Sequence, residues 1–350
     1  MLTIDAIIFS LQRHGGISVY FREILKRIRA ERGAHCHIIL YNRPEAEIEF
    51  VQEGYEVRPL RLAERYRDCQ VPVQTDVFHS SYYRLPDWRV PVVTTVHDFI
   101  YERFVSGPRR WVHSWQKFKA IRASDAVICI SESTRRDLLH FLPDIQPDRL
   151  HVVHNGVSST FHPLPPDEMP KVVARPYVLF VGGRGGYKNF IPLVQAMSGL
   201  RDLDLVCIGG GALSPQESEL VQRQLGSRFA HHMGVTDAQL NVFYNGAFCL
   251  AYPSAYEGFG IPVIEAMRAG CPVLAMNSSS IPEVAGDAAH LLPDASPETL
   301  QEAISRLDQT GQREHFRQLG LQRASMFSWD RTFAETCKVY EAARSNFINL

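Results

Sequence analysis

Short apolar runs rich in branched side chains alternate with amphipathic segments along the whole chain. Such runs are typical of buried strands, and apolar residues that recur with the helical period are typical of helices. The predicted strands are 4–9, 37–41, 77–79, 92–97, 126–130, 151–154, 177–181, 203–208, 248–252, 273–275 and 290–292. The predicted helices include 18–32, 109–123, 133–141, 214–224 and 262–269. This alternation, in two series, predicts an α/β protein with two Rossmann-like parallel sheets.

A proline-rich stretch separates the two series. Its prolines are Pro163, Pro165, Pro166, Pro170 and Pro176. Proline removes backbone donors and stiffens the chain, so residues 160–176 are predicted to be a linker. We expect one domain over residues 1–160 and a second from residue 161. A ligand is expected in the cleft between two such domains, where the carboxyl ends of strands converge.

The strongest functional signal is the segment YPSAYEGFGIPVIEA, which begins at the end of the strand 248–252. Pro262 suits the first turn of a helix. The residues expected at this helix N-terminus are Gly258, Gly260 and Ile261. Backbone donors there favour anions and hydroxyl-rich ligands, and the Glu257 and Glu265 carboxylates can accept hydrogen bonds from sugar or ribose hydroxyls. Alternatively, Glu257 caps the helix and Glu265 is a solvated first-turn charge.

A second glycine-rich loop, VGGRGGYKN, follows the strand 177–181. Glycines let a backbone approach a ligand closely, and Arg184 and Lys188 supply the positive charge that a diphosphate requires. The loop fits neither the dinucleotide fingerprint GxGxxG nor the P-loop. The alternative is a surface turn with two solvated cations.

Two weaker signals lie in the first half. His14, Gly15 and Gly16 form a glycine turn before the helix 18–32, which could equally be an ordinary strand-to-helix connection. His97 ends the strand 92–97, where it could contact a substrate hydroxyl or transfer a proton. A histidine in that position could also be purely structural.

Composition narrows the class of protein. Thirty-seven basic and 38 acidic residues leave a net charge of −1, which argues against a nucleic-acid binder. The seven cysteines are scattered without a CxxC pair, so neither a zinc site nor a disulfide framework is indicated. The N-terminus lacks a basic region before its apolar run, and no run is long enough to span a bilayer. We therefore expect a cytoplasmic protein.

These segments together resemble the GT-B glycosyltransferases of family 4, retaining enzymes that use nucleotide sugars. The segment from Glu257 to Glu265 is similar to that family's E-x7-E motif, down to GFGIPVIE. The resemblance continues through AMRAGCPVLA, SSIPEVAGDAA, GVTDAQLNVFYNGAFCLAYPS, ICISESTRRDL and HVVHNGV. It covers roughly the whole chain, and residues 31–74 match least.

The resemblance implies a role for each candidate residue. Glu265 would hold the ribose hydroxyls, and Glu257 would contact the donor sugar. Arg184 and Lys188 would neutralise the diphosphate, while His97 would contact the sugar from the N-terminal domain. The other donor-binding residues would be Gly16 at the phosphate, Val235 at the base, Gly258, Phe259 and Gly260 as backbone donors to the sugar, and Ile261.

The resemblance also implies the architecture and the chemistry. A GT-B fold would place the amphipathic helix 329–347 back on the N-terminal domain, which would then comprise residues 1–160 and 329–350, and leave 161–328 as the nucleotide-sugar domain. Protein cations and the helix N-terminus would stabilise the leaving diphosphate, so no metal or other cofactor is expected. The string DLD at 202–204 precedes its strand and is interpreted as a surface turn.

The implied reaction is transfer of a hexose to a saccharide acceptor in surface polysaccharide synthesis, with configuration retained. The segment VHDFIYERF favours GDP-mannose over a UDP-sugar as donor. Between Arg103 and Arg122 there are six basic residues and no acidic one. Trp111, Trp115 and Phe118 share one face of this helix, which suggests that residues 109–122 lie on an anionic membrane surface beside a polyprenyl-linked acceptor. Alternatively, these aromatic side chains are core residues.

Two other functions remain open. A nucleotide-sugar epimerase on the same fold would convert a nucleotide sugar without an acceptor. A non-catalytic GT-B-like subunit would support a partner transferase, although the presence of all five candidate polar residues argues against a degenerate site. A dehydrogenase is disfavoured because the dinucleotide fingerprint is missing.

Overall fold

The computed structural model describes residues 1–12, 15–32, 36–42, 55–165, 167 and 175–348, without the side chains of Arg32 and Ile348. His14, Pro166 and Pro170, singled out above, lie outside the described residues. The chain divides into two compact units. The N-terminal unit comprises Met1–Gly156 and Trp329–Leu350, and the C-terminal unit comprises Val157–Ser328.

The N-terminal unit contains a parallel sheet of seven described strands in the order β3-β2-β1-β4-β5-β6-β7. The strands are β1 Leu2–Asp5, β2 Cys36–Tyr41, β3 Tyr55–Arg58, β4 Val77–Ser80, β5 Val92–Val96, β6 Ala126–Cys129 and β7 Leu150–Val152. The helices are α1 Ile8–Leu11, α2 Gly16–Arg32, α3 Ile100–Phe104, α4 Pro108–Ala123, α5 Glu132–Phe141 and, from the end of the chain, α13 Trp329–Ile348.

The C-terminal unit contains a parallel sheet of six described strands in the order β10-β9-β8-β11-β12-β13. The strands are β8 Tyr177–Val181, β9 Asp204–Ile208, β10 Phe229–His232, β11 Cys249–Tyr252, β12 Val273–Met276 and β13 His290–Leu292. The helices are α6 Phe190–Ser198, α7 Pro215–Gln224, α8 Asp237–Gly246, α9 Ile261–Arg268, α10 Ile281–Ala285, α11 Pro297–Leu307 and α12 Gln312–Ala324.

The two parallel sheets confirm the predicted fold class. Central strands such as β5, β8 and β11 are buried along their whole length, as strands covered by helices on both faces must be. The helix α13 packs its Trp329 and Phe333 into the same hydrophobic core as Tyr20 and Phe21 of α2. The end of the chain therefore belongs to the N-terminal unit, as the resemblance implied.

Three elements differ from the prediction. The strand predicted over 4–9 ends at Asp5, and the apolar residues that follow form α1, where Ser81 Oγ accepts the Ile8 N–H at 3.0 Å. A short apolar run does not distinguish a buried helical turn from a strand. The edge strands β3 and β10 were not predicted, because none of their residues is fully buried and neither has an apolar run.

Each sheet has one point at which the strand order reverses. In the N-terminal unit this point lies between β1 and β4, and in the C-terminal unit it lies between β8 and β11. Loops that leave the carboxyl ends of two such strands diverge, and ligands of open α/β sheets bind in the resulting crevice. A ligand site in the C-terminal unit is therefore expected beside residues that follow Val181 and Tyr252.

The helix α4 exposes two tryptophans and buries a lysine. Trp111 and Trp115 are 77% and 59% exposed, so these two aromatic side chains are not core residues. The buried residues are His113, Gln116, Lys117, Ala120 and Ile121. Lys117 Nζ donates to Glu102 Oε2 at 2.8 Å and to the Asp98 carbonyl at 2.9 Å. An ion pair thus fixes α4 against α3.

Among the described residues, no helix has both the length and the apolar character that a membrane crossing requires.

We expect Lys117→Met to destabilise the protein by about 3–5 kcal/mol, because it leaves the buried Glu102 carboxylate without its cation. Burial raises the pKa of Glu102, but His113, Lys117 and Ser114 more than offset it and lower that pKa to about 2. The stability from the lowered pKa is full above the ordinary value of 4.5 and is lost as the pH falls through about 2. Urea unfolding at neutral pH and near pH ~2 measures both effects.

Lys119→Met is the matched control. Lys119 is exposed on the same helix and lies 3.8 Å from an exposed Asp68 carboxylate, a contact that contributes about 1 kcal/mol or less. Equal unfolding midpoints for the two variants at neutral pH would show that the buried pair does not hold α4 in place.

Candidate nucleotide-sugar site

Two loops meet at the strand reversal of the C-terminal unit. The Ala255 N–H, after β11, donates to the Tyr187 carbonyl, after β8, at 2.7 Å. Asn189 Nδ2 donates to the Pro253 carbonyl at 2.8 Å, from a left-handed backbone at φ 52°. The two segments that carried the strongest sequence signals therefore form one surface.

An ion pair lies at the centre of this surface. Lys188 Nζ contacts the Glu257 carboxylate, and their side chains are only 14% and 10% exposed. The Tyr252 hydroxyl lies 3.5 Å from Lys188 Nζ. A cation that can turn toward a ligand anion thus lies next to a carboxylate that can accept hydroxyl protons.

The main chain of Glu257 is held independently of its side chain. The Glu257 N–H donates to Ser279 Oγ at 2.8 Å, and Ser280 Oγ donates to the Glu257 carbonyl at 3.0 Å. These serines follow β12 and were not predicted. Ligands bind at the carboxyl ends of parallel strands, so the residues that follow the predicted strand 273–275 were candidates from the sequence.

The helix α9 begins as the sequence predicted, after a glycine turn. Gly260 has φ 92°, a left-handed backbone that favours glycine, and a Cβ there would also displace Ile281 Cδ1, 2.6 Å away. No side chain caps the helix, so Glu257 serves in the ion pair and not as a cap. The positive end of α9 therefore adjoins Gly258 and Phe259.

Glu265 lies one turn into α9 and is partly exposed. Its Oε2 accepts a hydrogen bond from the Tyr244 hydroxyl of α8 at 3.0 Å. Desolvation raises the pKa of Glu265 to about 8, from an ordinary value of 4.5. The carboxyl is therefore mostly protonated at neutral pH, unlike a solvated first-turn charge.

Arg184 lies apart from Lys188 and Glu257. Its guanidinium donates to the Gly209, Gly211 and Ala212 carbonyls at 3.0, 3.0 and 2.8 Å, and its Nε lies 3.2 Å from Glu217 Oε1. The side chain is 4% exposed. These contacts hold the loop after β9, where residues 209–211 have φ between 70° and 84°. The two cations of the glycine-rich loop thus have different surroundings.

Val235 lies in the loop between β10 and α8, and Thr236 caps α8 by accepting the Gln239 N–H. Val235 is partly exposed. Because α8 also carries Tyr244, which contacts Glu265, the loop of Val235 and the helix α9 are linked through one helix.

The N-terminal unit carries the two other candidates. His97 follows β5, is 7% exposed, and has an Nε2 without a hydrogen-bond partner among the described residues. Burial, aided by the Lys117 charge, lowers the pKa of His97 to about 3, so its ring is neutral at physiological pH. Gly16 is the exposed first residue of α2.

Comparisons with known proteins agree with this fold. Residues 14–161 match the family described as Glycosyltransferase Family 4, and residues 166–322 match the family described as Glycosyl transferases group 1. A relative from Escherichia coli, O-antigen chain mannosyltransferase B, is 28% identical over 310 residues, which cover 83% of this chain and 79% of the relative.

Two solved structures share the fold. Sucrose-phosphate synthase from Thermosynechococcus elongatus superposes with a TM-score of 0.77 at 18% identity, over 97% of this chain and 98% of the other. The Anabaena Alr3699/HepE complex with UDP-glucose superposes with a TM-score of 0.76 at 15% identity, over 96% of this chain and 98% of the other.

We expect Glu265→Gln to be more stable than the wild type above about pH 5. The folded chain holds the Glu265 proton more tightly than the unfolded chain, because the pKa is raised from 4.5 to about 8. The stability that this proton contributes is full below pH 4.5 and is lost as the pH rises through about 8. Glutamine keeps the neutral form at every pH, so the variant should lose less stability over this range.

Thermal unfolding from about pH 5 to about pH 8.5 measures the difference. Glu219→Gln, at an exposed position of α7, is the control and should follow the wild type. Parallel pH profiles for wild type and Glu265→Gln would contradict the raised pKa.

Proposed function

The chain belongs to the GT-B glycosyltransferases of family 4, and we propose that it transfers a hexose from a nucleoside-diphosphate sugar to a saccharide acceptor with retention of configuration. Mannose is the proposed sugar and GDP the favoured nucleotide over UDP. The E. coli mannosyltransferase relative supports mannose. We propose surface polysaccharide synthesis as the process that this transfer serves.

The observation that carries the proposal is the Lys188–Glu257 pair at the strand reversal. When a donor binds, Lys188 can exchange its carboxylate partner for a diphosphate oxygen. Glu257 is then left to accept hydroxyl protons of the sugar, beside the backbone of Gly258, Phe259 and Gly260. The ion pair is thus exchanged for two contacts with the donor. Lys188 binds on the phosphate side of the sugar–phosphate bond that is cleaved, and Glu257 binds on the sugar side.

The nucleotide lies, in this proposal, across α8 and α9. Glu265 binds the ribose hydroxyls, with Tyr244 fixing the orientation of its carboxyl group. Val235 borders the base, and Ile261 lies at the start of α9. Arg184 acts by holding residues 209–212 in place and adds its charge to the diphosphate from behind that loop.

For Gly16 and His97 we propose the roles that the family resemblance implies, at the phosphate and at the sugar. A neutral His97 can make a directional hydrogen bond through Nε2 without repelling the positive charge that develops at the anomeric carbon. Lys188 and the start of α9 neutralise the leaving diphosphate. We therefore propose transfer without a divalent metal.

We expect one nucleoside diphosphate to raise the unfolding temperature by several degrees. A ligand at 100 times its dissociation constant adds about 2.7 kcal/mol to stability. GDP, UDP, ADP and TDP are compared in a thermal unfolding assay, each with and without EDTA. Glu265→Ala and Lys188→Met should lose the shift, because they remove a ribose acceptor and the diphosphate cation.

Glu219→Gln should keep the full shift. If no nucleotide raises the unfolding temperature, the proposed donor site is refuted. If EDTA abolishes the shift, the donor site depends on a metal and the metal-free proposal is refuted.

The acceptor is proposed to be lipid-linked and the N-terminal unit to contact the inner face of the plasma membrane. The outer face of α4, defined here as Trp111, Val112 and Trp115, is exposed. Arg109, Arg110 and Lys119 are exposed on the same helix. Aromatic side chains beside exposed basic groups are typical of helices that lie on anionic lipid surfaces.

Co-sedimentation with vesicles tests this contact. We expect the protein to bind vesicles in which about a third of the lipid is phosphatidylglycerol, and to bind pure phosphatidylcholine vesicles more weakly. The double variant Trp111→Ala/Trp115→Ala should lose about tenfold or more in vesicle affinity. Ile191→Ala, at a 49% exposed position of the C-terminal unit, is the control. Binding that is equal for both vesicle types would exclude the electrostatic contact.

A further inference from the structure

A group of tyrosines lies beside His97 and takes no part in the donor site. Tyr82 and Tyr83 follow β4, just as His97 follows the neighbouring strand β5, and the two strands are paired in register at Ser80 and Thr94. Tyr83 is buried, and its ring lies 5.6 Å from that of Tyr82. The tyrosines are therefore fixed at the carboxyl edge of the sheet, next to a residue proposed to contact the donor sugar.

One arginine, Arg65, lies between two tyrosine rings. A helical turn, Glu64–Tyr66, carries Arg65 to this edge. The guanidinium carbon of Arg65 lies 4.8 Å from the ring centre of Tyr66 and 4.9 Å from that of Tyr82, and Nη2 lies 3.3 Å from the Tyr82 hydroxyl. Planar stacking of this kind fixes a guanidinium and leaves its edge available for hydrogen bonds.

The charge of Arg65 has no acidic partner among the described residues. The nearest carboxylate in sequence, Glu64, binds Arg84 at 2.8 Å. Asp98 accepts the Ile100 N–H at 3.0 Å. A partly buried cation without a counter-ion is costly to keep, and a bound anion would remove that cost.

Two buried polar atoms at this arginine have no hydrogen-bond partner among the described residues. They are Arg65 Nε and Gln116 Oε1. Gln116 Nε2 donates to the Arg65 carbonyl, so the glutamine borders the same space. Most buried polar groups in proteins are paired, and a local group of unpaired ones requires an explanation such as a ligand.

Aromatic surface completes the site. Tyr66 and Tyr101 are 43% and 36% exposed. The Tyr101 ring stacks on His113 with centroids 3.9 Å apart and an interplanar angle of 13°, and His113 lies 6.1 Å from the Tyr82 ring. Stacked rings are rigid, and exposed faces of tyrosine bind the apolar face of a sugar ring.

We propose that Arg65, Tyr66, Tyr82 and Tyr101 form the acceptor subsite, which we call the Arg65 shelf, and that it binds a saccharide with a phosphate or carboxylate group. The rings stack on the sugar, and Arg65 binds its anionic group through two N–H donors. The proposal rests on the proposed transferase function, because a shelf beside His97 serves an acceptor only if the donor is bound by the same enzyme.

Saturation-transfer NMR on the full chain tests the shelf, with protein aromatic protons irradiated and the sugar protons observed. The probes are mannose 6-phosphate, galacturonic acid and mannose, so that a phosphate, a carboxylate and no anionic group are compared. We expect saturation transfer to at least one of the two anionic sugars. Mannose should bind about tenfold more weakly, because it lacks the charge-assisted contact with Arg65.

Arg65→Ala should weaken binding of the anionic sugar by about tenfold or more, and Arg65→Lys should restore it in part because the charge returns without the fork. Tyr66→Ala, at an exposed ring, removes a stacking surface with little risk to folding. Arg61→Ala is the matched control, since Arg61 is exposed on the same segment. All variants should keep the nucleotide-induced shift in unfolding temperature.

Each outcome separates the shelf from the donor site. If neither anionic sugar gives transfer, or if Arg65→Ala binds like Arg61→Ala, the shelf is refuted while the nucleotide shift still supports the transferase. If saturating nucleotide displaces the probe from the wild type, the probe occupies the donor site and the shelf is also refuted. Loss of the nucleotide shift in the wild type would instead refute the proposed function.

Discussion

The ion pair of Lys188 and Glu257 joins the two loops of the C-terminal strand reversal, and the rest of that site depends on it. Each side chain is poorly exposed, so either charge alone would carry a large desolvation cost. Because Lys188 follows β8 and Glu257 precedes α9, the pair also sets the separation of the two loops. In the proposed reaction, a diphosphate replaces Glu257 as the partner of Lys188, and only then is the carboxylate available to a sugar.

Two other groups near the proposed reaction are neutral at physiological pH for the same physical reason. Burial raises the pKa of Glu265 and lowers that of His97. Within the C-terminal unit, the Lys188–Glu257 pair and the neutral Glu265 therefore add little net charge. In the proposed reaction, the donor brings the charge of two phosphates, and the dipole at the start of α9 is already in place to stabilise it.

The pattern of apolar runs predicted both sheets and the glycine-bounded start of α9, because buried parallel strands and a Gly–Pro helix start have strong local signals. It did not predict β3 or β10, whose residues are half exposed. Nor did it indicate that Arg184 and Lys188 turn in different directions, since adjacency in a loop does not determine which way a side chain turns. Arg184 turns toward three carbonyl oxygens of another loop, a long-range contact that has no sequence signal. Glu257 and Glu265 lie at the start of one helix, as the spacing predicted, but the raised pKa of Glu265 depends on its burial.

The two proposed sites differ in how their charged side chains are paired. On the donor side the charges of Arg184, Lys188 and Glu257 are paired within the chain, so specific motifs with fixed spacing are needed to build it. In the N-terminal unit, Lys117 of α4 is paired with Glu102 of α3, whereas Arg65 lies between two rings and forms no ion pair within the described part of the chain. An unpaired cation supported by stacking needs no matching acid elsewhere in the sequence. Such a site can therefore change its specificity through a few exposed residues without disturbing the sheet beneath, whereas any change in the donor pair alters two loops at once.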